Sequence, residues 1–160
     1  MHMKKSIVLI LAAVLAIASL SSCVNKYKKV KIVSCDVESF IPSGLKSFNA
    51  VAKVGIDNPA PDFNIKNIHA VVRRDTLEVL YMDAENVAVD AKCNKVYRVP
   101  VAGQLSKSVS LIQLVVMAKN LQSEIDAYKV DITGRATVAG NIGKDIKYKD
   151  VPLKKFIDRL

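Results

Sequence analysis

The stretch Phe48-Asn49-Ala50-Val51-Ala52-Lys53-Val54-Gly55-Ile56 decides the fold, because its apolar residues alternate with a period of two. One parity is apolar throughout, whereas the other holds Asn49, Lys53 and Gly55 and only Val51 as an apolar residue. Successive side chains of a β-strand point to opposite faces of the sheet. The alternation therefore predicts a half-buried strand with one face against a core.

Similar short stretches follow on both sides of this strand, separated by turn residues such as Ile41-Pro42-Ser43-Gly44 and Asp57-Asn58-Pro59. We predict further strands at residues 30–37, 65–74, 76–82, 86–91, 96–103, 128–138 and 145–151. Pro100 lies inside one of them, which predicts a sheet edge or a bulge there. Strands at short spacing with turns between them are typical of a sandwich or barrel.

The period changes once, between the strands at 96–103 and 128–138. Apolar residues recur there at helical spacing, at Leu111, Leu114, Val115, Ala118 and Leu121. This predicts one α-helix at about 108–122, with Ser108 as a candidate N-cap. Ile112, Val115 and Val116 are β-branched, so a strand is the alternative for this segment.

The N-terminus has the pattern of an export signal. Lys4 and Lys5 precede an apolar run, Ile7–Leu20, that is shorter than the roughly 20 residues needed to span a bilayer. The run ends in Leu20-Ser21-Ser22-Cys23, which resembles a bacterial lipobox. The resemblance implies a signal peptide at 1–22, followed by a diacylglyceryl group on the Cys23 thiol and an acyl chain on its new amine. The alternative is an ordinary secretory signal in which Cys23 is incidental.

The net positive charge of the chain bears on which binding partners are expected. The formal charge is +9, and removal of Lys4 and Lys5 with the signal leaves 9 − 2 = +7 on 160 − 22 = 138 residues. A nucleic-acid partner is not expected for an exported chain. Anionic lipid head groups fit better, above all near the basic tether at 23–29, although a merely solvated basic surface is the alternative. In one class of bacterial lipoproteins, acidic residues just after the cysteine resemble a surface-export signal. Their absence here predicts the periplasmic face of the outer membrane.

Cys35 and Cys93 remain once Cys23 is assigned to lipid. Both lie on the apolar parity of predicted strands, in a compartment that permits oxidation. They could form a disulfide across the core or remain free as small buried side chains.

The order of several motifs is similar to the late embryogenesis abundant type 2 domain, also called the water-stress-and-hypersensitive-response (WHy) domain. The motifs are a strand ending at Asn58-Pro59, Ile65-Lys66-Asn67-Ile68, Val99-Pro100-Val101 before a Leu-rich helix, and a strand at 128–134. The resemblance covers about residues 30–153 of the domain assigned to 30–160. It implies an antiparallel, fibronectin-like sandwich with one helix between two late strands, a link to water stress, and no catalytic residues.

The residues that enzymes use are sparse in this chain. His69 is the one histidine after the signal, no Gly-rich phosphate loop is present, and Asp57 and Asp62 are expected as turn residues rather than calcium ligands. We therefore predict no catalytic site, no metal and no cofactor beyond the lipid on Cys23. The favoured function is an adaptor or stress-protective module that binds an envelope protein. The alternative is a carrier of lipid or another apolar ligand, walled by Leu111, Leu114, Val115, Ala118 and Leu121.

Overall fold

A computed structural model describes residues 29–138 and 142–154, apart from the side chain of Cys35. The predicted signal peptide and Cys23 lie outside the described residues. The elements are, in chain order, β1 (Lys31–Pro42), β2 (Ser47–Asn58), β3 (Phe63–Arg74), β4 (Leu77–Ala84), β5 (Val87–Val89), β6 (Cys93–Leu105), α1 (Leu111–Lys119), β7 (Tyr128–Thr137) and β8 (Gly143–Pro152). A single 3-10 turn, Ile125–Ala127, precedes β7.

The strands form one curled, open, antiparallel sheet in the order β1-β2-β6-β4-β3-β7-β8, with β5 paired to β3. The short strand β4 joins the two halves, since it pairs with β6 on one side and β3 on the other. The curl brings the inner faces of the halves together around one core, and α1 lies between β6 and β7 in sequence. The predicted mainly-β, antiparallel sandwich-like fold with a single helix is confirmed for the described residues.

Strand β2 lies between β1 and β6, and its predicted parity is correct. The residues of its apolar parity are all buried: Phe48, Ala50, Ala52, Val54 and Ile56. The other parity faces outward, with Asn49 and Lys53 exposed. Gly103, opposite Phe48 on β6, lies so close that an added Cβ would stand 2.1 Å from the Phe48 ring. The large aromatic ring is therefore accommodated by a residue without a side chain.

Asn58 ends β2 and is completely buried. Its Oδ1 accepts a hydrogen bond from the backbone N–H of Ala60 at 2.9 Å, the bond that an asparagine in a turn makes to the backbone two residues on. Its Nδ2 donates to the carbonyls of Asp90 at 2.9 Å and Pro61 at 3.2 Å. One amide thus connects the β2–β3 loop to the segment between β5 and β6.

Pro100 lies within β6, a strand paired along its length with β2. On the other side, β4 pairs only with Val101–Leu105, and the Pro100 carbonyl accepts the N–H of Glu85 just past the end of β4. Because the N–H and C=O of one strand residue point the same way, the ring nitrogen faces the side where the β4 ladder has ended. The predicted sheet edge is thus confined to the part of β6 before Val101, which has no β4 partner.

Helix α1 is shorter than the predicted 108–122, and its N-cap is Ser110 rather than Ser108. The Ser110 hydroxyl accepts the N–H of Gln113 at 3.2 Å, while the Gln113 side chain accepts the N–H of Ser110 at 2.8 Å. This capping box satisfies two backbone donors that a helix start otherwise leaves without partners.

Among the described residues, no helix combines the length and the apolar character needed to cross a bilayer.

Substitution of Val54 tests the register of β2. Val54→Ala should lower the free energy of unfolding by about 1–3 kcal/mol, because Val54 is 0% exposed and the change removes buried methyl groups and leaves a cavity. Lys53→Ala, on the outward parity, should be nearly neutral. Denaturant unfolding of the two variants measures both changes. Equal losses would contradict the register.

Candidate functional site

An open groove of about 410 Å³ lies on the outer face of the sheet, where β1, β2, β6 and the end of β4 meet. The residues that line it come from four strands and are mostly small or apolar: Ser39, Ile41, Asn49, Ala50, Val51, Asp83, Ala84, Glu85, Pro100, Val101 and Ala102. Ligand pockets are usually concave and mostly apolar, with a few polar groups that fix orientation. The groove has this composition, although it is open rather than enclosed.

The strand register places the lining residues side by side. Val51 pairs with Ser39 on β1 and with Pro100 on β6, and Asn49 pairs with Ala102, which pairs in turn with Asp83. These residues lie on the outward parity of their strands. An apolar surface on the solvent side is unusual for an antiparallel sheet, whose outer face is typically polar. The groove is therefore the feature of this face that needs a functional explanation.

Charged groups lie beside the groove. Asp83 contacts the Nδ1 of His69 across the β3–β4 pair, and both side chains are exposed. Further along the outer face, Glu38 accepts a hydrogen bond from the Arg98 guanidinium at 2.7 Å and lies 3.9 Å from the Lys53 ammonium. The histidine thus belongs to an exposed surface pair.

A second open cavity, of about 420 Å³, lies beside the loop that leads into α1. Its lining comes from the start of β4 and the end of β6: Thr76, Leu77, Glu78, Tyr81, Gln104, Leu105, Ser106, Lys107 and Ser108. The Tyr81 hydroxyl donates to the Glu78 carboxylate, and this hydrogen bond raises the pKa of Tyr81 above its ordinary value. The phenol therefore stays protonated at neutral pH and serves as a donor rather than as a base.

A further ion cluster lies away from both cavities, on β3, β7 and the end of β8. The Arg73 guanidinium contacts the carboxylates of Asp131, at 2.8 Å, and Asp150. The hydrogen bond with Asp150 raises the pKa of Arg73 and lowers that of Asp150. Asp131 also accepts the backbone N–H of Asp150, whose φ of 56° is left-handed. The cluster thus fixes the irregular end of β8 and has a structural role.

The five residues predicted as a ligand wall are placed as follows. Leu121 is buried, Leu111 and Leu114 pack against the core, and Val115 and Ala118 are half-buried. None of the five lines either of the two cavities described above. The wall stays a prediction.

The two remaining cysteines are far apart in the register. Cys35 pairs with Val54 and Cys93 with Asn58, four residues further along the intervening strand β2. Two strand spacings and four residues separate the Cα atoms by roughly 16 Å, whereas a disulfide needs about 7 Å or less. Cys93 is a free, half-buried thiol. This arrangement favours the alternative of free thiols.

No group of three or more metal-ligating side chains occurs within residues 29–138 and 142–154.

Sequence reasoning did not find the groove, although one signal of it was present. Val51 was the exception on the otherwise polar parity of β2, and it lies in the groove between Ser39 and Pro100. Apolar Ile41 and Ala102 are likewise on outward positions. An apolar residue on the wrong parity of two or three adjacent strands is the pattern that would have indicated the groove.

Comparison with known proteins leaves the family open. No family model matches the chain, and no curated protein matches it in sequence. Among solved structures, the crystal structure of a protein from Archaeoglobus fulgidus is similar, with 10% identity and a TM-score of 0.43 over 74% of this chain and 97% of that one. A likeness of this size carries no inference about function. The resemblance to the late embryogenesis abundant type 2 domain stays a prediction.

Titration with a fluorescent fatty acid tests whether the domain holds an apolar ligand. We expect no saturable uptake by the folded domain, because both cavities are open and Leu111 and Leu114 pack on the core. Saturable uptake would instead favour the carrier. Ala102→Phe, which fills the groove, and Ala118→Phe, on α1, would then show by loss of uptake which surface binds, with melting curves to verify folding.

Proposed function

We propose that the protein is a non-catalytic lipoprotein of the cell envelope, which acts as a membrane-anchored adaptor or stress-protective module. The observation that carries this proposal is the lipobox-like Leu20-Ser21-Ser22-Cys23, which ends seven residues before Val30. Val30 is a fully buried core residue. The proposed anchor and the folded domain are therefore separated only by a short basic tether.

The chemistry of the anchor supports stable attachment. A single acyl chain binds membranes reversibly, whereas two or more chains anchor a protein stably, since each buried methylene contributes about 0.8 kcal/mol. The proposed diacylglyceryl group and N-acyl chain on Cys23 meet this condition. Lys26, Lys28 and Lys29 of the tether would each add about 1 kcal/mol next to anionic head groups. We place the domain at the periplasmic face of the outer membrane.

The adaptor role is supported by the position of the apolar residues that remain on the surface. The groove displays apolar residues on the solvent side of the sheet, next to exposed carboxylates. His69, the sole histidine after the proposed signal peptide, is paired with Asp83 on an exposed face. These features suit an envelope protein as partner better than a chemical reaction, and no nucleic-acid partner is proposed.

The carrier remains the second candidate because the groove floor is apolar and large enough for part of a small ligand. Its ligand would be a lipid or another apolar molecule, and the fatty-acid titration separates it from the adaptor.

Metabolic labelling tests the anchor. Cells fed labelled palmitate should incorporate it into the wild-type protein and not into Cys23→Ser, since only the Cys23 thiol and amine are proposed acceptors. Cys93→Ser is the matched control, because it removes another thiol and should label like the wild type. Equal labelling of the wild type and Cys23→Ser would overturn the proposed anchor.

A further inference from the structure

Helix α1 is far more apolar than its burial explains. Seven of its nine residues are apolar, Gln113 and Lys119 being the exceptions, yet none of the nine is buried. A surface helix normally pairs one apolar stripe with a polar face, and a helix that is apolar all round is normally covered on all sides. The described part of the chain covers only one side of α1.

The covered side and the uncovered side can be distinguished. Leu111, Leu114 and Met117 pack against the core. Ile112 and Val116 lie one turn apart on the helix and are 78% and 52% exposed. The uncovered side thus presents two aliphatic side chains to solvent, beside the exposed Gln113 and Lys119.

A further exposed apolar residue lies at the same end of the sandwich. Leu45, in the turn between β1 and β2, is 85% exposed. The Lys46 ammonium donates to the carbonyl of Lys107 at 2.6 Å, which ties this turn to the loop that leads into α1. We call Leu45, Ile112 and Val116, with the flanking Lys46, Lys107 and Lys119, the apolar end.

The segment that carries the apolar end is basic, although the Glu78 carboxylate lines the same cavity as Lys107. Residues 91–123 include Lys107 and Lys119 and contain no Asp or Glu. Of the acids that follow, Glu124 pairs with Arg74 at 3.0 Å, whereas Asp126 lies 4.0 Å from Lys154 and its side chain is 86% exposed. Exposed aliphatic side chains flanked by lysines are the combination that binds the interface of an anionic bilayer.

We infer that the apolar end is a docking surface for an anionic phospholipid bilayer, with Leu45, Ile112 and Val116 entering the head-group region. A bilayer suits a strip spread over a turn and a helix, because it needs no shape complementarity. The binding of the apolar end to a bilayer does not depend on the proposed lipid anchor. Only the orientation of the domain on the membrane rests on the proposed function. Strand β1 runs from Lys31, just after the tether, to Pro42 at the apolar end, at most about 36 Å away. A chain anchored through Cys23 and docked through α1 on the same bilayer would lie on its side.

Vesicle sedimentation tests the docking surface without the lipid anchor. The protein is the chain from residue 23 to 160 with Cys23→Ser, which retains the whole core because the buried core residues lie between Val30 and Leu153. It should sediment with vesicles of phosphatidylglycerol and phosphatidylcholine in equal parts, far less with phosphatidylcholine alone, and less as salt rises. Ile112→Ser with Val116→Ser should weaken binding by about tenfold or more. Lys107→Ala with Lys119→Ala should weaken it by about fivefold per lysine.

A matched pair controls for general loss of apolar surface. Val33→Ser with Val96→Ser removes two side chains that are 53% and 56% exposed on β1 and β6, away from the apolar end. This control should bind like the parent, and melting curves should show all variants folded. No binding by the parent, equal binding to phosphatidylcholine alone, or equal losses in the control and the helix pair would each overturn the inference. Binding unaffected by the helix pair would assign it to the tether lysines instead. None of these outcomes bears on palmitate labelling, so the proposed anchor is tested separately.

Discussion

The buried amide of Asn58 holds the sandwich together at the end where its two halves separate. Asn58 pairs with Cys93 at the start of β6, whereas β4 pairs only with Val101–Leu105 near its end. Strand β4 therefore does not join the two halves at the end where Asn58 lies. The connection passes instead through Asn58 to Pro61 and Asp90, and through the Lys92 N–H, which donates to the Ala60 carbonyl at 3.1 Å. Buried polar groups left without partners cost about 1–3 kcal/mol each. The chain from the proposed tether enters at this same end, since Lys31 at the start of β1 pairs with Asp57, the residue before Asn58.

The fold was predictable wherever a strand kept one parity. Strand β2 did so, and its buried set follows directly from its alternation. Strand β1 did not, because register shifts between Ile32 and Ser34 and between Val37 and Ser39 change which residues face inward. Phe40, past the second shift, packs against the core from the other parity, with its ring 4.8 Å from that of Phe48. The predicted strand therefore stopped at Val37, whereas β1 continues to Pro42. At α1, Ser108 and Ser110 are both acceptable N-caps, and only the Gln113 side chain selects Ser110.

The surfaces were harder to predict than the core. The groove depends on which residues of four strands become neighbours. The sequence of a single strand does not determine its pairing register with the next strand. The spacing of the apolar residues predicted the helix α1, but spacing cannot tell which side of the helix the sheet covers. The outcome is a domain with distinct ends. One end is closed by Asn58 and leads to the basic tether, while the other displays Leu45, Ile112 and Val116 to solvent. This arrangement suits the proposed anchored module with a second contact surface.

The measurement that tests this account most directly is the intact mass of the protein extracted from the membranes of its native host. The account predicts a chain that begins at Cys23 and carries the added mass of a diacylglyceryl group and one N-acyl chain. A mature chain that begins at any other residue, or one that begins at Cys23 without lipid, would contradict it.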